Sequence, residues 1–141
     1  MIKNFFKKEK KPETKGNDIL IISLLIHAAK IDENYTEREK KIIIKAAMNL
    51  YKININEAEQ LLRLAEEKEA KSNQILEFTK EIKKHPMEFR LKIIEIVWKI
   101  VYSDGTSDDY ESSLIRRICG LLYISDKDNG IIKTKVKDLI K

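Results

Sequence analysis

Four carboxylates fall within YSDGTSDDYE, residues 102–111, and two of them, Asp104 and Glu111, stand 72 residues after two others, Asp32 and Glu39. Carboxylates in loops do three kinds of chemistry: they hold a hard divalent cation, act as general acid and base, or accept from the free N–H groups that open a helix. An acid–base pair needs a nucleophile or an electrophile beside it, and the stretch supplies neither. The spacing also departs from an EF-hand, whose loop sets ligands at positions 1, 3 and 5, glycine at 6 and glutamate at 12. Asp104 and Glu111 are only seven apart.

Turn chemistry accounts for most of the stretch. Gly105 suits the left-handed residue that follows a helix, Asp108 suits the cap of the next helix, and Asp109 and Glu111 suit its positive end. Asp104 is left over. A carboxylate in the last turn of a helix faces the negative end of the macrodipole, at a cost of roughly 0.3–1 kcal/mol, and Asp32 shares that placement. Three groups could compensate: calcium or magnesium held by carboxylates and free carbonyls, a lysine or arginine from a neighbouring helix, or the free N–H groups of the next helix.

The elements that position these acids are helices. From Asp18 onward apolar residues recur at helical spacing and the breakers fall between the runs. A first helix over 18–30 is apolar on nearly every side, yet too short to span a bilayer, so it must be central and buried. A second starts at Thr36, with Glu39 completing a capping box. The third is capped near Asn56 with Glu59 three residues on, the fourth covers 72–84, and the fifth has Pro86 at its first position. Asp108 with Glu111 caps a sixth, and Ser125 with Asp128 a seventh. The pattern predicts an all-α chain, a single compact bundle of about seven helices.

Shifted by 72 residues, the chain lies on itself: Ile21 falls on Ile93, Leu25 on Val97, Ile42 on Leu114, Ser23 on Glu95 and His27 on Lys99, with Asp32 on Asp104 and Glu39 on Glu111. This predicts a duplicated helix-loop-helix. Two copies are too few for a solenoid, so the two apolar helices, the first and the fifth, should pack on each other with the rest wrapped around them. Both acidic loops would then lie at one end.

The chain of 141 residues is long enough for one core without a disulfide or structural metal. Its lone cysteine, Cys119, excludes a disulfide framework and a multi-cysteine zinc site and points to a cytoplasmic protein. Of the formal charge of +5, the first 16 residues contribute +4, six lysines against two glutamates. The remainder is nearly neutral, which argues against a nucleic-acid reader. Residues 1–16 read as a basic, flexible tail and 17–141 as the helical domain. Within the tail Ile2, Phe5 and Phe6, followed by Lys7 and Lys8, could touch an anionic membrane surface or a partner. That gives a second reading, a peripheral membrane-associated scaffold anchored at the inner face of the membrane.

No phosphate-cradling glycine loop and no dinucleotide fingerprint is present. Ser23 and His27 share a helix face but lack an oriented third group, so they read as part of a polar stripe with Glu95 and Lys99. His85 reads as a surface residue, and Cys119 and Trp98 as core. Tyr35, Tyr102 and Tyr110 flank the two acidic loops.

An apolar helix, an Asp-Gly loop and an acid-capped helix, occurring twice, resemble the TerB-like family, which takes in the tellurite-resistance protein TerB and the N-terminal domain of the DjlA co-chaperone. The residues that carry the resemblance are 27–33 with Glu37 and Glu39, and 101–105 with Asp108 and Glu111. Glu33 stands where the family's first loop has glycine, and Ser107 where its second has an apolar residue. The resemblance implies a helical bundle without catalytic activity and a divalent-metal site, here Asp32, Glu39, Asp104 and Glu111. It also implies a role in stress response or in membrane-associated complexes, as a module that binds a protein partner or as a co-chaperone-like one.

Overall fold

The apolar run ILIISLLI, residues 19–26, has no polar face to turn to water, and the computed structural model, which describes residues 16–31, 34–72, 74–104 and 109–140, shields it on all sides. Of residues 104, 109, 110 and 140 the backbone alone is described. The run lies in α1 (Gly16–Ala29), where Ile21, Ile22, Leu24, Leu25 and Ile26 are each 0% exposed. Burial of each such side chain stabilises the fold by about 1.5–3 kcal/mol relative to exposure. Ser23 is buried among them without penalty because its hydroxyl donates to the Ile19 carbonyl at 2.7 Å and also faces the Ala65 carbonyl at 3.3 Å.

Six further α-helices follow among the described residues, with no strand: α2 (Glu37–Tyr51), α3 (Ile55–Lys71), α4 (Ile75–Lys83), α5 (Met87–Val101), α6 (Asp109–Leu121) and α7 (Asp126–Ile140). A 3₁₀ turn, Tyr102–Asp104, closes α5. The bundle is all-α, as the helical periodicity predicts. α1 and α5 pack on each other, and α1 is covered further by α3, α4 and α2, while α5 is covered by α7, α2 and α6. The largest interface of α1 is with α3 rather than with α5. Small residues explain it: Ala58 and Ala65 on α3 are fully buried and let the two helices approach closely.

Caps set most of the boundaries. Thr36 is extended and bonds Glu39 in a reciprocal capping box, and Ser125 Oγ accepts from the Asp128 N–H at 3.1 Å. Three boundaries differ from the sequence expectation. The cap of α3 is Asn54 with Glu57, not Asn56 with Glu59. α2 ends on left-handed Lys52 (φ 55°), so the chain is already extended at Asn54 and the earlier of two equivalent motifs closes first. Pro86 caps α5 from outside, with ψ of 159°, and its carbonyl accepts from Phe89 and Arg90. Ser72 belongs to the end of α3, its N–H donating to Lys68, so the fourth helix begins at Ile75.

Candidate functional site

The first turn of α2, which carries Glu39, meets the turn that closes α5. Arg38, in the first turn of α2, donates from Nη1 to the carbonyl of Ser103 at 2.7 Å. That carbonyl belongs to the 3₁₀ turn ending in Asp104, whose Ser103 hydroxyl folds back onto the Ile100 carbonyl at 2.7 Å. The start of α2 and the end of α5 therefore share one end of the bundle, and the two helices run antiparallel. The guanidinium places a positive charge at the negative end of α5, which is one of the compensations that an acid at that position calls for.

Glu39 occupies the first turn of α2. Its Oε1 accepts from the Thr36 N–H at 2.8 Å while its own N–H donates to Thr36 Oγ1 at 3.2 Å. Glu111 sits in the first turn of α6, and both glutamates are only 7% exposed, which a charged side chain at a helix start does not require for capping. Carboxylate and carbonyl oxygens are the donors that a hard divalent cation takes, and Glu39 and Glu111 are donors of that kind. Asp32 and the side chain of Asp104 lie outside the described residues, as do Ile2, Phe5, Phe6, Lys7 and Lys8. Among the described residues no three His, Cys, Asp or Glu side chains gather as a metal site.

Tyr35 covers the first acidic segment. Its hydroxyl donates to Glu66 Oε2 at 2.7 Å, and Lys40 lies over its ring at 5.1 Å. Burial, together with the bond to Glu66, pushes the phenol far above its usual range, so Tyr35 stays a neutral donor. Tyr102 stacks on Trp98 with centroids 5.5 Å apart, and Trp98 Nε1 donates to Asn129 Oδ1 at 2.9 Å. Both rings are packed against neighbouring helices' side chains.

A second polar cluster joins α1 to α3. Buried Glu69 accepts from Lys30 Nζ at 2.8 Å on Oε1 and meets His27 Nδ1 at 3.2 Å on Oε2. His27 is thus a structural partner of an acid 42 residues away. The stripe equivalent on α5 is closed by an ion pair, Lys99 to Glu95 at 3.5 Å. His85 is half-buried and stacks on Phe89 at 4.2 Å. Cys119 is buried and free, and burial pushes its thiol up to about 12, which suppresses thiolate chemistry. No described helix is long and apolar enough to cross a membrane.

Two features were not foreseen from the sequence. Nothing in the sequence marks out Arg38. Among the lysines at 45, 52, 92 and 99 the sequence points only to Lys99, as the counterpart of His27, although each pair is spaced by seven residues and so recurs on one helix face. A family model described as tellurite resistance protein TerB matches residues 18–134. No curated protein and no solved structure matches the chain significantly.

Proposed function

The chain belongs to the TerB family, which spans residues 18–134, and on that premise we propose that it is a non-catalytic binding module with a divalent-cation site at its acidic end. Asp32, Glu39, Asp104 and Glu111 are the residues that would hold calcium or magnesium. The cation would supply charge neutralisation and would fix the two loops relative to each other. The loops then present a surface to a protein partner, in a stress-response role of the kind the family name implies.

The observation that carries this reading is the bond from Arg38 to Ser103, which joins the first turn of α2, with its buried Glu39, to the turn that ends in Asp104. Arg38 takes up a carbonyl oxygen, so carboxylates are left as the principal donors. Glu39 would have a double use, since its Oε1 caps α2 and the same carboxylate would also meet the cation. Glutamine satisfies the same capping geometry, so Glu39→Gln separates the two uses.

Thermal melting with and without added cation tests the reading. A ligand that binds only the folded state stabilises it by RT ln(1 + [L]/Kd), so about 5 mM calcium should raise Tm measurably for any site tighter than about 1 mM. The double variant Asp104→Asn/Glu111→Gln should melt at the same temperature with calcium as with chelator. A wild-type Tm that calcium and magnesium both leave unmoved rejects the cation.

A further inference from the structure

A groove of about 570 Å³ runs between α2 and α5. It begins one helical turn from the bond between Arg38 and Ser103, at Ile42 and Lys99, and continues to Lys52 and Lys92. Its floor is apolar: Ile42, Ala46 and Leu50 follow one another at four-residue spacing on α2, and Ile96 faces them from α5. Its rims are cationic, with Lys45 and Lys52 on one side and Lys92 and Lys99 on the other. The acid among the lining residues, Glu95, is already engaged by Lys99 at 3.5 Å and by Lys135 at 3.4 Å. Lys45, Lys52 and Lys92 are exposed and have no acidic partner among the described residues.

We propose that this groove docks an acidic amphipathic helix of a partner protein. The length fits, because two to three turns on each wall correspond to roughly 10–15 Å, the reach of an i, i+3 or i+4, i+7 stripe. The charge fits as well. Lysines on both rims suit a ligand with carboxylates on both flanks of an apolar stripe, and they raise the association rate of such a ligand.

The same charges exclude nearer occupants. Residues 1–15 carry six lysines against two glutamates and would be repelled. A second copy would have to offer an acidic face with paired apolar residues. The exposed apolar pair Ile131 and Leu139 lies on α7, which carries four lysines against three aspartates, and the other large exposed apolar residues stand singly on their elements. A flat bilayer cannot enter a concave floor, and a fatty acid has one carboxylate for the three rim lysines that Glu95 does not engage. The inference rests on reading the chain as a binding module but does not need the cation.

The test titrates a synthetic helix, leucines at i, i+3 and i+7 flanked by glutamates and carrying fluorescein, into the full chain in EDTA at low salt. A scrambled peptide of equal composition and a lysine-flanked counterpart serve as controls, and ¹H–¹⁵N spectra report the contact surface. Expected is binding by the glutamate-flanked helix alone, shifts at Ile42, Ala46 and Ile96, and a loss of about tenfold or more in the double variant Lys45→Glu/Lys92→Glu. Both lysines are exposed, so Tm should hold, and Lys45→Gln/Lys92→Gln stands in if the charge reversal destabilises the chain.

Equal binding of the scrambled peptide, or no binding at about 1 mM, overturns the proposal. So does perturbation of the groove resonances by a residue 1–15 peptide, by phosphatidylglycerol vesicles, by oleate or by self-association when the acidic helix leaves them unmoved. Because the titration is metal-free, a failed groove with an intact calcium-dependent Tm rejects the groove alone. Peptide binding with no calcium effect rejects the cation alone.

Discussion

Arg38 and Ser103 lie 65 residues apart in sequence and are joined by a 2.7 Å hydrogen bond from guanidinium to backbone carbonyl. The bond ties the opening turn of α2 to the closing turn of α5 and brings a cation to the carbonyl end of a helix, where positive charge is favoured. It sets the first turn of α2, which carries Glu39, beside the turn that ends in Asp104.

Arg38→Ala should cost about 0.5–1.5 kcal/mol in urea denaturation, the range for a single hydrogen bond, with the low end favoured because the group is exposed. The same variant should bind calcium more tightly than wild type, since it removes a competing positive charge. Unchanged calcium affinity would separate Arg38 from the cation site.

Glu69→Ala should be the more damaging change, at about 2 kcal/mol, because it removes the buried carboxylate that joins α1 to α3 and leaves His27 and Lys30 without it. Glu69→Gln retains an acceptor for Lys30 and should lose less. Lys30→Ala should lose least, since Lys30 is 37% exposed and water screens its charge. Chemical denaturation of the three variants fixes the order, and a Lys30→Ala loss equal to that of Glu69→Ala would contradict it.

The Cys119 thiol gives a pH dependence with a definite sign. Its folded pKa is raised from 9.0 to about 12, first by burial and then by Asp126, so the protonated thiol is favoured in the fold. The associated stability is complete below the unfolded pKa and is lost as pH rises from about 9 towards about 12. Cys119→Ala should flatten part of the alkaline fall in Tm. The remainder belongs to Tyr35 and Tyr51, whose phenols burial also pushes up. A thiol reagent such as dithionitrobenzoate should leave folded Cys119 unmodified and label it in denaturant.

Tyr123 sits where a helix terminus prefers glycine. Its φ is 60°, the Ile124 N–H returns to the Cys119 carbonyl at 2.9 Å, and the Tyr123 N–H returns to Gly120 at 3.3 Å, which together form a Schellman ending for α6. Tyr123→Gly should stabilise the chain by about 0.5–1 kcal/mol, the left-handed penalty less the lost contact with Lys83 at 4.9 Å. Differential scanning calorimetry reads the shift, and a lower Tm would mean that the ring contact outweighs the backbone strain.

Local chemistry was the part of the fold that the sequence exposed. The caps at Thr36 and Ser125 need only a side chain and an N–H three residues on, and the apolar run of α1 has no other place than the interior. The cap of α3 was misread because Asn54 with Glu57 and Asn56 with Glu59 offer one motif twice, and only the left-handed Lys52 upstream selects between them. The bonds from Arg38 to Ser103 and between His27 and Glu69 were illegible for another reason. They depend on how one helix is rotated against another, which is set by the summed packing of α1, α3 and α5 and by no local pattern. The groove belongs with these: its lysines recur visibly at seven-residue spacing, but nothing in the chain says that α2 and α5 will face each other.

The central claim is a cation held by the acids of both loops, and isothermal titration calorimetry of the full chain with calcium addresses it most directly. The account predicts saturable binding with whole-number stoichiometry, abolished in Asp32→Asn/Glu39→Gln/Asp104→Asn/Glu111→Gln while the helical content of that variant stays unchanged. Heats no larger than those of dilution, or identical isotherms for wild type and variant, would contradict it.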